Sequence, residues 1–308
     1  MPKRSSLIFS LTVLLISADA QQNIDAVLSV NGISREYMIH LPSASNKKTS
    51  IPLVLVFHGG GGNNKQVQRY MQMDRIADRE NFIVVYPNGI GKQWNDGREF
   101  KESVSINDDV QFISQLLDSM LQHFHVDSKR IFATGISNGG FFSIYLSLRL
   151  NTRLLAVAPV CASIPTRIYP GFFPEKPISI LIINGTKDPL VPYNGGTVGN
   201  RMTGDRGDCM PTDSMVSRYV RINQTEISPV IISLPDNNKR DGCTAIEYTY
   251  AGGINGTIVR LVKINNGGHT LPGGYPYLPK MIIGRVCNDF EGNQMIWEFF
   301  KTCVPRKS

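Results

Sequence analysis

Ser137 stands in GISNGG, residues 135–140, with a glycine two residues before it and another two after it. A serine in such a stretch is either a covalent nucleophile or an ordinary turn residue, and its neighbours and partners decide between the two. Upstream, RIFAT reads as a short apolar strand; downstream, FFSIYLSLRL repeats apolar residues at helical spacing. A Gly-x-Ser-x-Gly segment on a strand-to-helix turn presents its hydroxyl at a helix N-terminus, where free N–H groups and the positive end of the dipole favour a developing anion. Such a nucleophile needs an acid and a base later in the chain, in the order Ser, Asp or Glu, His.

The chain has five histidines. His40 and His58 precede Ser137, and His123 and His125 close the helical pattern before its strand, so chain order leaves His269 as the base. It lies in NNGGHTLPGG, just after the apolar run TIVRLVKI. The acid is expected after the run ISILIIN, where GTKDPLVPY offers Asp188. An Asp-Pro pair is also a common turn former, and Asp205 and Asp208 compete from a glycine-rich loop further on. Acyl transfer further requires N–H donors for the oxyanion. The segment LVLVFHGGGGNN supplies a strand followed by glycines 59–62, so the backbone N–H groups of Gly60 and Asn138 are the expected donors. No Gly-Lys-Ser/Thr follows the glycine run, which argues against a nucleotide loop.

These segments need a scaffold that gathers them. Apolar or alternating runs at 26–30, 37–41, 53–57, 83–86, 131–134, 155–160, 178–183 and 258–264 read as strands, with helical patterns at 65–81, 107–124, 137–150 and 212–222. Steady alternation predicts an α/β fold with a mostly parallel central sheet and helices on both faces. The first two strands are separated only by NGIS, so an antiparallel hairpin should open the sheet. Ligands of such sheets bind at the carboxyl ends of the strands, where all of the residues above fall.

The segment MPKRSSLIFSLTVLLISADA reads as a secretory signal: Lys3 and Arg4, an apolar run from Leu7 to Ile16, and cleavage after Ala20. The apolar run is shorter than the roughly 20 residues of a permanent span. Residues 21–308 are expected to form one catalytic domain, secreted or periplasmic. No separate surface-binding module, linker or repeat is legible. The net charge of +7 is scattered rather than striped, which disfavours nucleic acid as a partner. Five cysteines show no close metal-type spacing, and no cofactor or metal is called for. Cys287 and Cys303 flank a helical pattern that sets them about 20 Å apart, too far to bridge; of the remaining pairs, Cys209 with Cys243 is the preferred disulfide. Sequons occur at Asn184, Asn223 and Asn255, with Asn184 expected to stay unmodified because it abuts the acid loop.

Taken together, HGGGGN, VVYPNG with WNDGR, DDVQFI, VDSKRIFATGISNGG, NGTKDPLVPYNGG, GGHTLPGG and MIWEFF resemble the secreted α/β-hydrolases of the poly(3-hydroxybutyrate) depolymerase-like and family 1 carbohydrate esterase group. That group includes feruloyl and acetylxylan esterases. The resemblance runs from about residue 36 to 300 and implies Ser137, Asp188 and His269 as a triad, with Gly60 and Asn138 at the oxyanion positions. After GGHT the group commonly carries tryptophan at the substrate mouth, where this chain has Leu271, so the resemblance implies Leu271 as a substrate contact alongside Trp94 and Tyr193. The implied activity is hydrolysis of carboxylic esters, feruloyl or acetyl, on plant-type polysaccharide. Other readings are a poly(3-hydroxybutyrate) or oligomer depolymerase, a peptidase of similar fold, and a non-catalytic carbohydrate-binding protein. Trp94 either lines the groove or sits in the core; Tyr193, Tyr275 and Tyr277 fall near strand ends where aromatic faces meet sugars or phenolic acids. Asp108 and Asp109 read as helix-starting groups rather than as an acid/base pair.

Overall fold

The computed structural model describes residues 22–43, 49–98 and 109–305. The N-terminal segment read as a secretory signal, and Asp108, lie outside the described residues. The chain order is β1 (Gln22–Val30), β2 (Ile33–Leu41), β3 (Ile51–Phe57), α1 (Asn64–Met71), α2 (Met73–Glu80), β4 (Ile83–Pro87), α3 (Asp109–His123), β5 (Val126–Ile136), α4 (Asn138–Arg149), β6 (Ala156–Val160) and β7 (Ser179–Gly185). It continues through β8 (Gly196–Asn200), β9 (Gly204–Cys209), α5 (Thr212–Asn223), β10 (Val230–Ser233), β11 (Thr244–Tyr250), β12 (Val259–Asn265), α6 (Lys280–Ile283) and α7 (Gly292–Thr302).

Ten strands form one sheet in the order β1-β2-β4-β3-β5-β6-β7-β12-β11-β10. The run from β4 to β12 is parallel, and antiparallel strands extend both edges. Strands covered on both faces read as continuous apolar runs, and β3 is buried throughout. Its Leu53, Leu55 and Phe57 join the core under α3, α4 and α5, whereas Val54 and Val56 join the core under α1, α2 and α7. The α/β fold read from the alternation is thus the one observed. The opening hairpin turns through Asn31 and Gly32, both at positive φ, which a tight two-residue connection requires.

Two readings are corrected. The pattern at 65–81 is not one helix: Gln72 takes a left-handed φ of 48° and separates α1 from α2. In an unbroken helix Met71 and Met73 would point about 200° apart; the break lets both enter the same core. The Cys209–Cys243 disulfide is also overturned. All five cysteines are free thiols, with Cys209 in the core on one face of the sheet and Cys243 in the core on the other. Between Asp188 and His269, beside the helix and strand read at 212–222 and 258–264, the chain also forms the β8–β9 hairpin, β10 and β11. No described helix is long and apolar enough to cross a membrane.

Candidate active site

β5 ends at Ile136 and α4 begins at Asn138, leaving Ser137 on the turn with φ 57° and ψ −124°. A non-glycine residue keeps such a backbone only where its surroundings enforce it. Here the Ser137 N–H donates to the Val160 carbonyl at 2.9 Å, and the Ser137 carbonyl accepts from Phe141 N–H at 2.8 Å. The glycines around it permit close packing. A Cβ on Gly139 would overlap the Phe57 carbonyl oxygen, and one on Gly140 would lie 2.7 Å from the Val160 oxygen. The first turn of α4 therefore lies at backbone distance from β3 and β6, with its free N–H groups at the carboxyl ends of the strands.

β7 and β12 are neighbours in the sheet although four strands separate them in sequence. The loops after them bring Asp188 and His269 together. His269 Nδ1 lies 2.7 Å from Asp188 Oδ2, with both side chains almost wholly buried. Asp188 Oδ1 accepts from the N–H groups of Leu190 and Val191, each at 2.8 Å. The His269 N–H donates to the Ile283 carbonyl at 2.6 Å, and the Tyr277 hydroxyl donates to the His269 carbonyl at 3.2 Å. With Nδ1 engaged, Nε2 is the nitrogen left to exchange a proton. Asp205 and Asp208 are exposed on β9, where Asp205 accepts from the Gly207 N–H at 2.8 Å, and the carboxylate bonded to His269 is that of Asp188.

Cys161, which no sequence motif marked, completes this corner. It follows β6 with a φ of 52°, and its Sγ, a carboxylate oxygen of Asp188 and a ring nitrogen of His269 lie within 4.8 Å of one another. Burial, with the Asp188 charge adding to it, pushes the thiol pKa well above its usual value, so the group stays protonated. Three such ligand types could hold a metal, but the hydrogen bond between Nδ1 and Oδ2 already occupies two of them. Asp241, Cys287 and Asp289 form a similar cluster, whose carboxylates staple loops by accepting from Cys243, Asn288 and Asn238 N–H groups.

The two expected oxyanion donors come from separate segments. In the glycine loop, Gly61 and Gly62 N–H groups bond the carbonyls of Lys92 and Gly59, at 2.8 and 3.0 Å, while no acceptor among the described residues takes the Gly60 N–H. Asn138 opens α4, so its N–H has no intrahelical acceptor. Its side chain is locked: Nδ2 donates to Trp94 O at 3.0 Å and Asp96 Oδ2 at 2.7 Å, and Oδ1 accepts from Trp94 N–H at 2.8 Å. Asp96 in turn makes a buried ion pair with Arg98 at 2.6 Å, and the Arg98 guanidinium lies 3.9 Å over the Phe141 ring. The WNDGR segment is thus a brace for the residue after Ser137. Asp109 heads α3 as read, and also forms a buried ion pair with Arg35 at 2.6 Å.

His58 supports the glycine loop from below. Its Nε2 accepts from Gly89 N–H at 3.0 Å and its Nδ1 donates to Gly59 O at 2.8 Å, an arrangement open only to the neutral ring. Burial, partly opposed by the Gly59 hydrogen bond, lowers its pKa to about 4. The unfolded chain, with an ordinary value of about 6.5, therefore binds the proton first as pH falls. Stability from this group is complete above about pH 6.5 and is lost progressively down to about pH 4, by about 3 kcal/mol. Urea titrations at pH 7 and pH 4 should show a larger loss for the wild type than for a His58→Gln variant. Equal losses would refute the assignment.

Ser137, His269, Gly60 and Asn138 all line one cavity of about 640 Å³. Tyr70, Tyr275, Tyr277 and Leu278 form part of its wall, and Leu190, Val191, Val198, Thr203 and Arg206 form another part. Three expected substrate contacts are not there. Trp94 is 1% exposed, stacked on Phe142 with centroids 4.9 Å apart. Tyr193 is buried, its hydroxyl donating to Asp213 at 2.8 Å. Leu271 is buried beneath the cleft, its N–H donating to the Tyr70 hydroxyl at 2.7 Å. No sequence signal marks Tyr70, which lies inside an amphipathic helix where aromatic residues ordinarily read as core. Asn184 and Asn223 are buried, with their amides bonded to Ala162 O and Ile178 O.

The phospholipase/carboxylesterase family profile matches residues 42–202, just over half of the chain. NocK of Nocardia uniformis subsp. tsuyamanensis, a protein named as an esterase, is 28% identical over 82% of this chain and 75% of its own length. Feruloyl esterase B of Piromyces equi is 29% identical over 76% of this chain, which spans only 42% of that protein. Among solved structures, the acetyl xylan esterase from Aspergillus awamori superposes with a TM-score of 0.61 at 11% identity, covering 91% of this chain and 99% of that one. At that identity the likeness is one of fold.

Proposed function

The chain belongs to the phospholipase/carboxylesterase family and is a carboxylic ester hydrolase, and from that premise we propose that it works by acyl transfer through Ser137, His269 and Asp188. The observation that carries this reading is the buried 2.7 Å pairing of His269 with Asp188 in the cavity wall that also holds the strained turn of Ser137. His269 takes the Ser137 proton as Oγ attacks the ester carbonyl, and Asp188 holds the imidazole tautomer and stabilises the imidazolium. The N–H groups of Gly60 and Asn138 receive the oxyanion. His269 then gives its proton to the departing alcohol oxygen, and water repeats the sequence to free the acid and regenerate Ser137.

The substrate proposed is a feruloyl or acetyl ester on plant-type polysaccharide. Two things support it: the names borne by relatives such as feruloyl esterase B, and the exposed Tyr275 and Tyr277 of the cleft wall, each packed edge-on against the buried Tyr70 ring with centroids 5.5 and 5.2 Å away. Phenolic and sugar rings pack on such faces. A hydrolysis panel of methyl ferulate, acetylated xylan, short nitrophenyl esters and hydroxybutyrate oligomers tests it. Ferulate or acetate should be released faster than hydroxybutyrate; the reverse order would overturn the substrate while leaving the mechanism standing. The domain proposed is residues 21–308, exported after cleavage near Ala20. N-terminal sequencing of the secreted protein should begin near Gln21, and an uncleaved Met1 terminus would refute export by this signal.

A further inference from the structure

Among the described residues no aspartate or glutamate lines the cleft, yet two arginines do, Arg98 and Arg206. The charge of Arg98 is compensated by Asp96 beneath it, at 2.6 Å with both side chains buried. Arg206 differs. It projects from the β8–β9 hairpin, its Nε donates to the Thr203 carbonyl at 3.2 Å, and it makes no ion pair among the described residues. A guanidinium has five N–H donors in a planar fork, so most of its capacity is unspent. Its position is also specific: a Cβ built on Gly60 would lie 3.1 Å from Arg206 Nη1 and 2.9 Å from Gln93 Oε1. The Gln93 oxygen is buried and has no hydrogen-bond partner. A half-buried cation and an unpartnered acceptor thus flank the glycine assigned to the oxyanion.

We infer that Arg206 is a specificity residue for a carboxylate carried by the substrate close to its scissile ester. The planar fork matches a carboxylate in bidentate geometry, and partial burial spares the pair much of the screening that an exposed charge suffers. The inference rests on ester hydrolysis at Ser137 and narrows its substrate class to acidic esters. The carboxylate has two possible sources, the acyl part of the ester or an acidic sugar, such as a uronic acid, in its alcohol part.

Two matched pairs separate these sources. The first is para-nitrophenyl hydrogen glutarate against para-nitrophenyl methyl glutarate; the second is acetylated methyl glucuronoside bearing a free carboxylate against its methyl ester. Wild type should prefer the charged member of at least one pair by about tenfold or more in kcat/KM at low salt, the scale of one charge-assisted contact. That preference should fall towards unity in Arg206→Gln and return in part in Arg206→Lys. The pair that responds identifies the source. Hydrolysis of charged and neutral members at equal rates, or a preference for the neutral ones, would overturn the subsite while upholding the esterase. An Arg206→Gln variant that slowed all four substrates equally would overturn it as well, since the arginine would then serve the oxyanion or the hairpin. Failure of wild type on all four would sink the Ser137 mechanism along with it.

Discussion

Replacing Ser137 by alanine is expected to abolish ester hydrolysis, with a fall in kcat of about 10⁶-fold, the scale seen when a triad nucleophile is removed. The hydroxyl supplies the covalent step, and Cys161, the thiol beside Asp188 and His269, is buried and kept protonated. The fold should persist. The strained backbone at Ser137 is held by its N–H bond to Val160 and by the bond from Phe141, neither of which uses the hydroxyl. Circular dichroism and the melting temperature should therefore stay close to wild type. A fluorophosphonate probe should label the wild type and not the variant. Activity within a few-fold of wild type would overturn the nucleophile assignment, and a wild type that resisted the probe and cleaved no ester would favour a non-catalytic carbohydrate-binding protein.

Asp188→Asn is expected to lower kcat by about 10⁴-fold, since a neutral amide can present N–H to Nδ1 and hold the ring in the wrong tautomer. The loss should exceed that of Asp205→Asn or Asp208→Asn, which alter exposed groups on the β8–β9 hairpin. If either of those proved the more damaging, the acid would be assigned wrongly. Structural damage is distinguishable from a tautomer effect here. The amide side chain of the variant would keep an oxygen able to accept from Leu190 and Val191 N–H, as Asp188 does at 2.8 Å, so KM should change far less than kcat.

Much of the candidate site was legible because chain order and chemistry are one-dimensional. Of five histidines only His269 follows both a serine turn and the final strand, and the fold then sets it against Asp188, 81 positions earlier in the chain. The glycines of GISNGG were legible for a similar reason: a Cβ there meets backbone, and that demand is written into residue type. The alternation of apolar runs likewise determined the parallel sheet, since strands buried on both faces require unbroken hydrophobic segments.

What only the tertiary structure decided is which side of each element a residue faces. Trp94, Tyr193 and Tyr275 are alike in sequence as aromatics near strand ends, yet the first two are buried while Tyr275 is 45% exposed at the cleft. Cys209 and Cys243 lie 34 positions apart in a polar stretch, and only the path of the chain around the sheet puts them in opposite cores. The β8–β9 hairpin has almost no hydrophobic period to read, because GTVGN and GDRGDC are held by backbone pairing and glycine turns rather than by a buried face. Sequence therefore determined the candidate reacting groups and the sheet that gathers them. The walls of the cleft, including the cation at Arg206, were decided by packing, because a side chain's neighbours depend on segments far away in the chain.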